Sequence, residues 1–265
     1  MKAIRTFIYS FVASTLILTG CGSSGGGGTA TPTLPSDAAT INASNATGIA
    51  TSAVATYDTV YAAIGIETTT LPSMKNVINK IKETAFNRNK QPINIVTGIT
   101  DNLPCTNSGS ISDTYNLTST SDSGTLSFNS CNEGGIIFNG SFSYSYTWSN
   151  TTGDYNGTAN GSLTMTVASN NFTVVIDISE TGNDFSGAFS LTLSYSFSGV
   201  PGAGFLVTTE TPLTGTGLFV TSGQLLVQGA NNTRLRIIIT SSSTADVYLD
   251  DGNGSFVLLT SNMAI

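Results

Sequence analysis

Residues 136–148 read Ile136-Ile137-Phe138-Asn139-Gly140-Ser141-Phe142-Ser143-Tyr144-Ser145-Tyr146-Thr147-Trp148. Ile136, Phe138, Phe142, Tyr144, Tyr146 and Trp148 alternate with Ser141, Ser143, Ser145 and Thr147, and Gly140 falls in phase with the apolar set. Strict alternation is the signature of a strand with one buried and one hydrated face. The pattern returns after Gly161, in Leu163, Met165 and Val167, and after Gly187, in Phe189, Leu191, Leu193, Tyr195 and Phe197. The chain is therefore read as copies of one ribbon laid side by side in an antiparallel sheet.

Outward from that ribbon, candidate strands fall at 93–99, 109–117, 124–130, 136–149, 155–168, 172–180, 185–198, 205–209, 213–221, 224–229, 234–241, 245–250 and 255–260. The gaps are short and rich in Asn, Gly, Ser and Asp, which suits hairpin turns and leaves no room for crossover helices. A register follows from placing large rings over small partners. Trp148 is set against Tyr155, Tyr146 against Gly157, Tyr144 against Ala159 and Phe142 against Gly161. Continuing, Val167 meets Phe172, Met165 meets Val174, Ile178 meets Phe185 and Ile176 meets Gly187. A slip of one residue would turn the whole apolar face to water.

Two helices are expected ahead of the sheet. Ala46, Ile49, Ala53, Tyr57, Val60, Tyr61 and Ile64 recur at helical spacing over about 42–64, with Gly65 as a stop. Pro72-Ser73 caps a second helix over about 73–88, whose stripe is Met74, Val77, Ile78, Ile81 and Ala85. Lys75, Lys80, Lys82, Arg88 and Lys90 lie on or just beyond its other face. Those cations suit a solvated face favoured by the helix dipole, the alternative being contact with anionic lipid headgroups. Gln91-Pro92 ends the helical region.

The expected fold is thus mainly β with a minor α part. It is a long antiparallel meander curled into a barrel-like or half-barrel sheet, with both helices on its concave apolar face. Residues 39–265 form one domain. A transmembrane barrel also alternates, but two amphipathic helices, a lipid anchor and the ending Met263-Ala264-Ile265 speak against it.

The amino terminus reads as an address. Lys2 and Arg5 precede an apolar run at 7–18 that ends in Leu18-Thr19-Gly20-Cys21. Basic start, short apolar core and small residues make a secretory signal over 1–20, too short to span a bilayer as a helix. Leu-Thr-Gly-Cys is similar to the lipobox of bacterial lipoproteins, which implies cleavage before Cys21 and diacylglycerol on its thiol. An ordinary export signal with Cys21 as a stray thiol is the alternative. Residues 21–38, with Gly25 to Gly28 in a row and then Thr alternating with Pro, form a flexible tether. Gly22 after the cysteine points to outer-membrane sorting.

Composition narrows the functions. Only 9% of the 265 residues are charged, and the net charge is −7. A chain this acidic offers no basic face for nucleic acid. After Lys90 the next basic residue is Arg234, and histidine is absent, which removes the commonest general base and metal ligand. No cofactor motif is present. With Cys21 taken by lipid, Cys105 and Cys131 are expected to form a disulfide, which stabilises by about 3–4 kcal/mol on a chain-entropy basis. No Cys-x-x-Cys spacing supports a redox role.

Asp250, Asp251 and Asn253 give a faint calcium-loop pattern. Their strand flanks and Ser261 at the twelfth position instead fit a hairpin turn. Glu180 and Asp184 bracket an expected turn at 181–183, and a carboxylate pair of that kind is the starting point of glycoside chemistry. No helper residue accompanies them.

The lipobox, the Gly-rich tether, Pro104-Cys105 with Phe128-Asn129-Ser130-Cys131, Phe138-Asn139-Gly140 and the later Ser222-Gly223-Gln224-Leu225-Leu226-Val227-Gln228-Gly229-Ala230 form a set. With Leu235-Arg236-Ile237, this set resembles uncharacterised bacterial lipoproteins of the outer-membrane type with an antiparallel β body. The resemblance implies an envelope location and no activity, so it transfers no catalytic residues. The expected role is a non-enzymatic envelope lipoprotein with a structural or protein-partner function. The alternative is a carrier of a lipid or other hydrophobic ligand in the concave sheet, and a carbohydrate-active enzyme is third.

Overall fold

The alternation of the sequence becomes a single sheet in which every strand pairs with its neighbours along the chain. The structure is a computed structural model that describes residues 30–54 and 96–265, apart from 134, 168–169, 200–201, 203 and 217–218. The first six strands are β1 (Val96–Pro104), β2 (Ser108–Leu117), β3 (Ser121–Glu133), β4 (Ile136–Trp148), β5 (Asp154–Val167) and β6 (Asn170–Asn183). They are followed by β7 (Ala188–Ser198), β8 (Phe205–Thr216), β9 (Phe219–Gln228), β10 (Arg234–Ser241), β11 (Thr244–Asp250) and β12 (Val257–Ala264). Their spatial order is their chain order, and each pair is antiparallel. This is the meander that short polar turns dictate.

The β4–β5 register is the one that rings over glycines require: Trp148 faces Tyr155, Tyr146 faces Gly157, Tyr144 faces Ala159 and Phe142 faces Gly161. The next two hairpins differ from expectation. Met165 pairs with Phe172 and Leu163 with Val174, two residues away from the register drawn from the sequence. Ile178 pairs with Leu193 and Ile176 with Tyr195, so β6 and β7 share a much longer hairpin. Both corrections are even-numbered shifts. Side chains alternate with period two, so an even slip keeps every apolar residue on the same face and the alternation cannot detect it. A further difference is that residues 205–209 and the start of 213–221 belong to one strand, β8. Its pairing with β9 shifts on either side of Pro212, between Thr209 and Thr211 and between Thr211 and Thr214. Proline cannot donate to a ladder and is accommodated at such bulges.

One bulge serves the disulfide. Phe128 and Cys131 lie three apart, yet both are buried, because the β3–β4 register shifts between them. Ser130 takes φ +47° there, and its N–H donates to Asn139 Oδ1 at 2.8 Å. The inserted residue turns Cys131 inward, where it is joined to Cys105 with 5.4 Å between the Cα atoms.

The amino-terminal segment is fastened to the body from its first described residue. Ala30 exchanges two 3.1 Å hydrogen bonds with the side-chain amide of Asn160, which is out of phase with the apolar set. The chain then crosses one end of the sheet. Asp37 Oδ2 accepts from Gly199 N–H at 2.6 Å, Ala39 N–H donates to Gly204 O, and Ala230 N–H donates to Ala39 O. Past that strap, Ala39 and Ile41 are buried, and helix α1 (Ala46–Val54) lies on the apolar face. Ala46, Ile49, Ala50 and Ala53 supply its buried stripe at i, i+3, i+4 and i+7, and Tyr195 Oη donates to the Ala53 carbonyl at 3.3 Å. The helix expected over 42–64 begins at Ala46, because residues 43–45 form a turn, and its continuation past Val54, with all of the helix expected over 73–88, lies outside the described residues.

The core is one cluster that runs from α1 across the whole apolar face. Phe138, Phe172, Phe197, Ile176, Leu225, Leu235 and Ile237 are among its fully buried members. Each such side chain contributes about 1.5–3 kcal/mol of transfer free energy. Gly161 shows how tightly the rows are packed, since a Cβ there would stand 2.4 Å from Phe142 Cα and from Ser141 O. These are backbone atoms that cannot swing aside. Gly161→Val is therefore expected to destabilise the protein by about 3 kcal/mol, at the upper end of overpacking costs. A denaturant midpoint unchanged from wild type would contradict the packing of β4 on β5.

Candidate functional site

The apolar face holds a carboxyl group that the alternation of the strands places directly in its path. In β6, Phe172, Val174, Ile176 and Ile178 are followed in phase by Glu180, which is only 2% exposed. Two tyrosines reach it from neighbouring strands. Tyr155 Oη on β5 donates to Glu180 Oε1 at 2.7 Å, and Tyr146 Oη on β4 donates to Oε2 at a longer 3.4 Å.

Glycines make both reaches possible. Tyr146, Gly157 and Glu180 form one cross-strand row, and the Tyr146 ring spans β5 over Gly157. A Cβ on Gly157 would lie 2.3 Å from Tyr146 Cζ, and one on Gly182 would lie 2.4 Å from Tyr155 Oη. The two rings stack with centroids 6.5 Å apart. Asp122 of β3, itself buried, faces Tyr146 at the other end of the row.

The electrostatics follow from burial. Removal from water pushes the Glu180 carboxyl up to about 7, while the two phenol hydrogen bonds pull the other way and lose. Burial first, and the neighbouring Glu180 second, hold both Tyr146 and Tyr155 well above the ordinary phenol value. Chemically the cluster takes up or releases one proton near neutrality. Its two oxygens already accept from phenols, so it is arranged as an internal polar lock.

The paired-carboxylate expectation is corrected by the same geometry. β6 continues through Asn183, so residues 181–183 are strand and the turn follows at 184–187. Glu180 is inside the sheet under its tyrosines, whereas Asp184 stands in the turn, its N–H bonded to Gly153 O. In the sequence Glu180 is the last residue of the strand expected at 172–180 and borders the turn expected at 181–183. The signal that locates the lock is in the partners: two tyrosines, each set against a glycine.

The calcium-loop residues have other employment. Asp250 is fully buried, and its Oδ2 accepts from Arg234 Nε at 3.0 Å and Nη2 at 2.5 Å. Its Oδ1 accepts from Gly252 N–H at 3.0 Å and Gly254 N–H at 2.9 Å. Arg234 foremost, and then the two amides, hold this carboxyl below the usual range. Asn253 Oδ1 accepts from Ser255 N–H. The aspartate thus organises its own turn, and no group of three or more His, Cys, Asp or Glu suited to a metal occurs among the described residues. Beside it, Arg236 pairs with Glu210 through two bonds of 2.6 and 3.0 Å and lies 4.2 Å over the Phe256 ring. Cys21 lies outside the described residues.

With this geometry in hand, comparison with known proteins adds no relative: no family model, curated protein or solved structure matches the chain.

The lock has a pH signature whose sign is fixed. Between the unfolded value of 4.5 and about 7 the folded protein keeps the Glu180 proton that the unfolded chain has released. Raising the pH through that window therefore favours unfolding. The stability that wild type loses relative to Glu180→Gln from pH 4.5 to pH 7.5 is expected to be on the order of 3 kcal/mol. Parallel urea titrations of the two proteins at each pH measure it. A difference that is flat across the window, or that rises with pH, would contradict the burial of Glu180.

Proposed function

We propose that this protein is a non-enzymatic lipoprotein of the bacterial cell envelope. It is held at the outer membrane by diacylglycerol on Cys21, and its β body serves a structural or protein-partner role. The sheet curls into a barrel-like or half-barrel wall whose concave side carries the amino-terminal helical region. The observation that carries this reading is that α1, a segment of the same chain, packs on the apolar face. The buried stripe of α1, from Ala46 to Ala53, packs into the same cluster as Phe197, Phe205 and Leu225. A face turned to lipid would expose these residues. Glu180, whose pKa burial raises to about 7, supports the same reading, because both its oxygens are engaged inside the fold.

Native mass spectrometry of protein purified from envelope extracts tests this reading. The expected mass is that of the chain beginning at Cys21, plus diacylglycerol and the N-terminal acyl group, with no noncovalent companion. A copurifying lipid would replace the structural role with a carrier role, and an unmodified Cys21 would overturn the anchor.

A further inference from the structure

At the end of the sheet crossed by the amino-terminal strap, and remote from Glu180, lies a groove of about 440 Å³. That is within the size range of small-molecule sites. Its walls come from three separated parts of the chain: Leu34 on the strap, Gln228 to Arg234 around the β9–β10 turn, and Gly252 to Gly254 after β11.

The walls are fixed. Asn231 and Asn232 both adopt left-handed backbone, with φ +56° and +60°, a conformation that asparagine adopts more readily than most residues other than glycine. They are held by Asn231 Nδ2 donating to Thr40 Oγ1 at 2.9 Å and by Gly229 N–H donating to Thr233 O at 2.8 Å. Thr233 Oγ1 in turn accepts from Ile41 N–H and donates to Ala230 O, which ties the strap to the turn.

The charge in the groove is already cancelled. Asp250 is its one carboxylate, and both oxygens are filled by Arg234 and by two backbone amides. A cation would find no open ligand there. Arg234 is its one cation, and Asp250 neutralises it, so an anion gains little. Leu34 is the only large apolar residue in the lining, which is too little for a lipid chain.

What the groove offers is neutral hydrogen bonding. The Gln228 and Asn232 amides make no side-chain hydrogen bond among the described residues, and each presents two donors and an acceptor. The Asn253 amide nitrogen and the remaining Arg234 N–H groups add donors. Paired donors and acceptors beside the flat guanidinium and the Leu34 side chain match the vicinal hydroxyls and apolar ring face of a sugar. We propose that this groove binds a short neutral saccharide, built from hexose or N-acetylhexosamine units, through the amides of Gln228 and Asn232.

Saturation-transfer NMR on the intact protein, with maltotriose and triacetylchitotriose as separate millimolar probes, tests this directly. Transfer to at least one probe is expected, and the one that responds identifies a hexose or an N-acetylhexosamine ligand. In the Gln228→Ala, Asn232→Gly double variant, binding is expected to fall at least tenfold. Glycine tolerates the left-handed backbone at 232, so melting should be unchanged. Amide shift mapping on wild type provides a readout that does not depend on the variant, with perturbations expected at 228–234 and 252–254. No transfer from either probe, shifts confined to another surface, or undiminished binding by a folded double variant would overturn the proposal.

Discussion

The interaction on which the rest of this sheet depends is the seating of aromatic rings over glycines between β4, β5 and β6. Antiparallel ribbons of this composition have many registers that keep apolar residues on one side. The Tyr146 ring over Gly157 and the Tyr155 ring over Gly182 allow one, because a side chain at either glycine would occupy the ring's place. The Glu180 carboxyl then ties both phenols to β6. A buried carboxyl is expensive in isolation. Here it gains two hydroxyl donors, and a raised pKa lets it stay neutral in acid. The polar group adds a second constraint on the register that the rings select, and its destabilising ionisation makes the fold sensitive to pH.

From that centre, order spreads along the chain in both directions. Towards β1, the bulge at Ser130 returns Cys131 to the apolar side and the disulfide to Cys105 fixes the first two hairpins. Towards β12, the row continues through Tyr195, Val207, Val227 and Leu235 to Leu249. The strap from Ala30 to Ile41 closes one end of the sheet and delivers α1 to the apolar face. The same strap forms one wall of the polar groove beside Arg234. Contacts between the amino-terminal segment and residues near 200 and 230 thus connect the two ends of the sequence.

Much of this is legible in the sequence because the dominant force acts with a period of two. Alternation located the strands, short polar turns gave the meander, and rings opposite glycines gave the β4–β5 register pair by pair. The same periodicity explains the failures. Phe172 opposite Met165 instead of Val167, and Leu193 opposite Ile178 instead of Phe185, are slips by even numbers that no burial pattern resolves. Pro212 reads as a break but sits in a bulge of one continuous strand. Glu180 reads as a strand end, since its two hydroxyl donors lie 34 and 25 residues away. Asp250 gives only a faint calcium-loop pattern in the sequence, and its partner Arg234 lies across the strand pair. For Glu180 and Asp250 the missing information is a polar contact across strands, which has no local signature.

The most direct test is to watch the Glu180 carboxyl itself. Carbon-13 NMR of its side-chain carboxyl in the intact protein, followed from pH 3 to pH 9, reports its protonation inside the fold. A midpoint near 7 is expected from its burial beneath Tyr146 and Tyr155. A midpoint at the ordinary 4.5 would place Glu180 in water and contradict the lock.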